Sequence, residues 1–80
     1  MRVRLERTYL TTPQSTRILY MIPDHFLVDA ASLHAAIVQF IENGGGRLLG
    51  SVTQLTESRA VATGWSEGRL FMVSAEPAPD

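Results

Sequence analysis

One stretch of this sequence repeats its apolar residues at the spacing of a helix. Leu33, Ile37, Phe40 and Ile41 follow the i, i+4, i+7, i+8 pattern of a single helical face, and three glycines follow at positions 44–46. The other apolar segments alternate with polar residues or form short continuous runs, which is typical of strands. One helix among several strands predicts a single α+β domain, in which the helix packs on one face of a mostly antiparallel sheet of four to five strands.

The predicted order of the elements is strand, strand, helix, strand, strand, strand. The predicted strands are residues 2–10, 17–22, 48–55, 59–65 and 69–75, with a turn at residues 56–58 and a three-residue hairpin loop at residues 66–68. Residues 23–29 are predicted to connect strand and helix with at most a short extended piece at 26–28, and Asp29 is the predicted N-cap. We expect one domain over residues 1–75 and a disordered acidic tail over residues 76–80.

The three glycines after the helical segment predict the end of a helix rather than a phosphate-binding loop. Phosphate loops precede a helix, where free amides and the positive end of the helix dipole face the anion. Here the glycines follow the helix, and Gly44 is predicted to adopt the left-handed conformation of the residue that ends it. The carbonyl oxygens and the negative end of the dipole at that position disfavour an anion.

The strand faces predict where the helix packs. In the first strand Val3, Leu5 and Tyr9 point to one side, and Arg7 is the charged residue among them. A face made of small residues on the fourth predicted strand indicates close approach by another element, which we expect to be the helix. These small residues are Ala60, Ala62 and Gly64.

Two predicted strands, residues 17–22 and 69–75, are apolar on both faces. One helix covers only part of one face of a sheet, so the second face needs another cover. A chain of 80 residues also has a small core and has no Cys from which to form disulfides. We therefore expect a homo-oligomer, in which a second copy of the protein covers the apolar surface.

Charge and composition argue against several classes of partner. Seven arginines and eight acidic residues leave a net charge of −1, which gives no electrostatic footprint for nucleic acid. A nucleic-acid surface at Arg2, Arg4 and Arg17 is therefore the least favoured interpretation. No apolar run approaches the roughly 20 residues of a membrane span, and the first residues lack the apolar core of a secretory signal. We predict no membrane partner and a cytoplasmic location.

Few residues of the sequence suggest chemistry. Asp24 and His25 form the one adjacent acid and histidine pair, in a segment predicted to be irregular. His34 lies near the start of the helix, and two histidines without a third ligand do not predict a zinc site. The serines match no nucleophile motif, so no catalytic residue and no cofactor are predicted. Trp65, before a hairpin turn, is a candidate for ligand stacking, for an interface or for simple packing.

These observations favour a small non-catalytic interaction or assembly module that acts as a homo-oligomer and also accommodates another protein. The alternative is a small-molecule-binding protein, or a simple enzyme without cofactor, whose pocket lies between helix and sheet. The candidate ligand-binding residues are Tyr20, His25, His34 and Trp65, and the candidate interface residues are Val38, Trp65 and Phe71. The layout resembles small α+β domains that dimerise through a sheet, a likeness of architecture that does not carry function.

Overall fold

The computed structural model of the protein describes residues 1–10 and 23–79. The elements are β1 (Arg2–Tyr9), β2 (Asp24–Asp29), α1 (Leu33–Asn43), β3 (Arg47–Thr56), β4 (Arg59–Ser66) and β5 (Arg69–Pro77). The strands form one five-stranded sheet in the order β2-β1-β5-β4-β3, and every neighbouring pair is antiparallel. The predicted α+β class and the order β-β-α-β-β-β are confirmed.

The second strand differs from the predicted one. The predicted strand at residues 17–22 lies outside the described residues, whereas β2 occupies the segment predicted to be a connection. Its residues pair with β1 from Arg2 opposite Asp29 to Arg7 opposite Asp24. Pro23 is compatible with this strand because it immediately precedes the first paired residue, where no ladder hydrogen bond is lost.

The core lies between α1 and one face of the sheet, which we call the inner face. Strand alternation places residues 3, 5, 60, 62, 71, 73 and 75 on this face. The buried residues are Val3, Leu5, Leu33, Ala36, Ile37, Ile41, Ala60, Ala62, Phe71, Val73 and Ala75. Burial of their apolar surface holds the helix on the sheet.

The helix begins later than predicted. Ser32 is the N-cap, and its Oγ accepts a hydrogen bond from the backbone N–H of Ala35 at 3.0 Å. Asp29 is instead the last residue of β2, opposite Arg2 in the ladder. Both side chains are good caps in isolation, and pairing of Asp29 within the sheet leaves Ser32 to begin the helix.

The helix ends at the three glycines, as predicted, but a different glycine adopts the left-handed conformation. Gly44 has φ −82° and Gly45 has φ 75°. The N–H of Gly45 donates to the carbonyl of Glu42 at 3.0 Å, and that of Gly46 donates to the carbonyl of Ile41 at 2.9 Å. This pair of hydrogen bonds is a Schellman motif, which places the left-handed residue one position after the C-cap.

The β4–β5 hairpin also differs from the prediction. Ser66 pairs with Arg69, so the loop contains two residues rather than three. Glu67 has φ 52° and Gly68 has φ 76°, and positive φ at both central residues defines a type I′ turn. This turn matches the twist of the strands that it joins.

Small residues on β4 let the helix approach the sheet closely, as the sequence predicts. Ala60 and Ala62 are buried beneath the helix layer. A Cβ placed on Gly64 would lie 2.6 Å from two ring atoms of Phe71 and 3.3 Å from Cδ1 of Ile41. The position therefore has no room for a side chain.

One edge strand of the sheet is irregular, and its last strand is longer than predicted. β3 is an edge strand whose register with β4 shifts between Leu49 and Thr53, around Gly50 with φ 74°. β5 continues through Pro77, into the segment predicted to be a disordered tail, and the N–H of Ala78 donates to the carbonyl of Arg2 at 3.0 Å. Among the described residues, no helix combines the length and the apolar character that crossing a bilayer requires.

Candidate functional site

The sheet face opposite the helix, which we call the outer face, carries an apolar cluster. Register places Leu49 opposite Thr63, Thr63 opposite Met72, and Trp65 opposite Leu70, so their side chains share this face. We call the apolar residues of these three strands the outer cluster: Leu49, Val61, Trp65, Leu70 and Met72. Trp65 is 44% exposed and Met72 is 40% exposed. Large apolar side chains thus form a strip on a face that no described element covers.

The other half of the outer face, on β1 and β2, is charged. Arg4 lies 4.0 Å from Glu76, and Nδ1 of His25 lies 3.8 Å from Oε2 of Glu6. All four side chains are substantially exposed, so these pairs contribute little to stability. A shallow depression of about 530 Å³ follows this half, between Arg4, Leu27 and Pro79.

Three of the four predicted ligand-binding residues lie in the described part of the chain, and these three do not come together. His25 lies on the outer face of β2, and Trp65 lies on the outer face of β4, with β1 and β5 between them. His34 is exposed on the helix, which lies on the other side of the sheet. Tyr20 lies outside the described residues. His25, His34 and Trp65 therefore line no common pocket.

The three predicted interface residues also occupy different environments. Trp65 belongs to the outer cluster, whereas Val38 is half-buried on the helix. Phe71 is 3% exposed and packs on Gly64 and Tyr9, with its ring centroid 5.9 Å from that of Tyr9. Of the three, Trp65 is the residue that presents a large apolar surface to solvent.

A second surface lies on the inner face, at the end of the sheet beyond the helix. The 11-residue helix is about 16 Å long, whereas nine-residue β5 is about 30 Å long. The helix ends at Asn43 and leaves a cleft of about 150 Å³, which we call the inner cleft. Its lining includes Arg7, Tyr9, Phe40, Ser66, Arg69 and Phe71.

Arg7, the charged residue on the apolar side of β1, lies at the inner cleft among aromatic rings. Its Cζ lies 4.9 Å from the ring centroid of Tyr9, 5.4 Å from that of Phe26 and 5.6 Å from that of Phe40. Its Nη2 donates to Oδ2 of Asp24 at 2.9 Å. The methylene stem and the planar guanidinium thus cover apolar surface at the sheet edge while the charge has a partner.

Arg69 reaches the same cleft from β5. Its Cζ lies 4.7 Å from the ring centroid of Tyr9, so two guanidinium groups contact one aromatic ring. Within residues 1–10 and 23–79, no carboxylate lies within ion-pair distance of Arg69. The sequence marks Arg7 as unusual, but nothing in it indicates that Arg69 lies nearby, because this follows from the pairing of β1 with β5.

The described part of the chain holds no group of three His, Cys, Asp or Glu side chains close enough to bind a metal ion. In the same residues no polar or charged side chain is buried. The groups that these residues offer to a ligand or partner are exposed ion pairs, two arginines stacked on an aromatic ring, and an apolar strip.

Comparison with protein-family models, with curated proteins and with solved structures finds no match for this chain.

Proposed function

We propose that this protein is a small non-catalytic interaction module that associates with a second copy of itself through the outer face of its sheet. The observation that carries the proposal is the outer cluster, in which Trp65 and Met72 expose large apolar surface on the side opposite the helix. Aromatic and Met side chains are enriched at protein interfaces, and Trp is common among the residues that dominate binding.

The size of the outer face suits a dimer. Five strands about 4.8 Å apart and about eight residues long present roughly 650 Å² in projection. A standard interface buries about 800 Å² of accessible surface on each partner. Two such faces packed as a sandwich therefore give an interface of ordinary size, with the two sheets about 10 Å apart.

The distribution of charge favours a second copy as the partner. A two-fold axis that lies between the sheets and across the strands places the outer cluster of one copy on that of the other. The charged halves then also face each other, and they carry both signs, with Arg4 beside Glu76 and with Glu6 on the same face. An isologous contact of this kind buries apolar surface without gathering like charges.

The non-catalytic part of the proposal rests on the position of the titratable groups. The two histidines lie on opposite sides of the sheet, and the ion pairs of the described residues are exposed at one or both partners. Catalytic acids and bases usually lie together in one cleft, whereas His34 is exposed on the helix and His25 lines the shallow depression on the other side of the sheet. The cytoplasmic location stays a prediction of the sequence.

The test is the native mass, measured by light scattering on a sizing column over a dilution series. We expect a dimer that dissociates on dilution, and we expect Trp65→Glu to raise the dimer Kd at least about 30-fold, as loss of a central interface residue does. Ala31→Glu adds the same charge at an exposed position on the helix side and is expected to leave the Kd unchanged.

Two results would contradict the proposal. The first is a wild-type chain that is monomeric at every concentration measured, which would mean that the protein does not self-associate. A dimer that survives Trp65→Glu and is dissociated by Val38→Glu uses the helix side rather than the outer face. Circular dichroism of each variant establishes that it is folded before its mass is interpreted.

A further inference from the structure

We propose that the inner cleft is a binding site for a small aromatic carboxylate. This site lies on the opposite side of the sheet from the outer cluster, so it is independent of the association proposed above. It combines an apolar wall with two guanidinium groups at one opening, which is the pattern that recognises a flat ring bearing a negative charge.

The apolar part of the site consists of aromatic rings. Tyr9 and Phe71 meet edge to face, with an interplanar angle of 74°. Phe40 supplies the helix side of the same cleft. A ligand ring packed there contacts ring edges and faces, an arrangement that is favourable beyond the simple burial of area.

The charged part of the site is the pair of arginines on Tyr9. Asp24 accepts hydrogen bonds from Nε and Nη2 of Arg7, so this guanidinium is held in place and retains donors on Nη1. Arg69 stacks on the same ring, and no carboxylate in the described ranges 1–10 and 23–79 forms an ion pair with it. Its planar fork of donors is suited to a bidentate contact with a carboxylate.

The surroundings of the cleft contain groups that oppose an anion, and these are partly offset. Glu67 contributes to the lining but is exposed in the hairpin turn. The helix presents its negative end here, although the carbonyls of Phe40, Ile41 and Glu42 already accept hydrogen bonds from the three glycines. The charge of Arg7 is paired with that of Asp24, so the positive charge of Arg69 is the one set against the partial negative charge of the helix end, which is about half an elementary charge.

The size of the cleft limits the ligand to a single ring. Its volume is about 150 Å³. A dry cavity of about this size in another protein holds one benzene molecule. Benzoate therefore matches the site in volume, in its flat apolar body and in its charge, whereas a fused ring system or a nucleotide exceeds it.

The experiment is a titration of the isotope-labelled protein with benzoate at constant ionic strength, followed by amide resonances in NMR spectra. We expect saturable shifts that cluster at Tyr9, Gly46 and Arg69, with a Kd on the order of 1 mM, as for other ligands of this small size. Benzamide, which keeps the shape and lacks the charge, is expected to bind at least about tenfold more weakly.

Two variants separate binding from a purely structural role of the arginines. Arg69→Gln is expected to weaken benzoate binding at least about tenfold, and Arg69→Lys to restore part of it, because the ammonium keeps the charge without the planar fork. Arg59→Gln removes an exposed arginine outside the cleft and is expected to change nothing.

Three results would overturn the proposal. The first is that benzoate causes no saturable shifts. The second is that benzoate binds Arg69→Gln as tightly as it binds the wild type. Phosphate produces the same shifts with higher affinity than benzoate, which would make the aromatic wall irrelevant. In the second case, a loss of thermal stability in Arg69→Gln would assign the arginines to support of the helix end.

Discussion

The two faces of β4 are unlike each other in a way that reverses the usual arrangement of a half-buried strand. Its inner face carries Ala60, Ala62 and Gly64, and its outer face carries Val61, Thr63 and Trp65. The large side chains of β4 therefore lie on the face that no described element covers, and the face under the helix carries only very small ones. The core volume above β4 comes from the helix and from Phe71.

This contrast separates the determinants of folding from those of the association that we propose. The inner face fits because Ile41 and Phe71 occupy the space that β4 leaves empty. The side chains of the outer face make no comparable contact with the helix, so the fold does not depend on their size. Substitutions on the inner face should change the free energy of unfolding, and substitutions on the outer face should change the self-association.

The largest expected effect comes from removing helix bulk over the inner face. Ile37 is fully buried, and Ile37→Ala is expected to lower the free energy of unfolding by about 2–5 kcal/mol. A core of this size contributes only about 3–5 kcal/mol of net stability, so the variant should retain little or no stability at 25 °C. Urea denaturation followed by circular dichroism measures the change.

The matched outer-face variant is Met72→Ala, made together with Trp65→Glu so that association does not contribute to stability. Relative to Trp65→Glu alone, we expect the free energy of unfolding to fall by less than about 1 kcal/mol, since Met72 is 40% exposed. Equal losses in the two variants would mean that the outer face is packed as tightly as the inner one, and the contrast between the faces would be lost.

An intermediate effect is expected where the helix comes closest to β4. Gly64→Ala places a Cβ 2.6 Å from ring atoms of Phe71, and overpacking of this kind costs about 1–3 kcal/mol of unfolding free energy. Thr63→Ala, on the adjacent outer-face position, should change stability much less. Phe71→Leu in the Gly64→Ala background tests the cause, because a smaller side chain should recover part of the loss.

A smaller effect than that of Gly64→Ala is expected at the start of the helix. Ser32→Ala removes the hydrogen bond from Ala35 N–H to Ser32 Oγ and should lower the free energy of unfolding by about 1 kcal/mol. Ser32→Asp keeps an acceptor at the same place and should retain the stability. If Ser32→Ala melted at the wild-type temperature, the helix start would be held by packing of Leu33 alone.

The sequence predicts the fold class and the helix face because both follow from local periodicity. The i, i+4, i+7, i+8 spacing places Leu33, Ile37 and Ile41 toward the core, where all three are buried. The small residues of β4 predict the close approach of the helix, and Gly64 under Ile41 confirms it.

The errors share a cause, which is that partners distant in the sequence decide them. Two residues, Asp29 and Ser32, both suit an N-cap, and the pairing of Asp29 with Arg2 in the sheet leaves Ser32 to begin the helix. The separation of His25 and Trp65 in the sheet has the same origin, since periodicity assigns a face to each residue but not a neighbour. Arg7 and Arg69 meet for this reason too, through the β1–β5 ladder.

The shift of register in β3 bears on how copies of this protein add to one another. An edge strand with regular spacing offers a row of unpaired amides and carbonyls, and a second copy that joins there leaves its own edge open for a third. The shift between Leu49 and Thr53, at left-handed Gly50, interrupts that row. Addition of strands at the β3 edge is thereby discouraged, and the association that we propose through the outer face would end the assembly at a pair instead of a fibre.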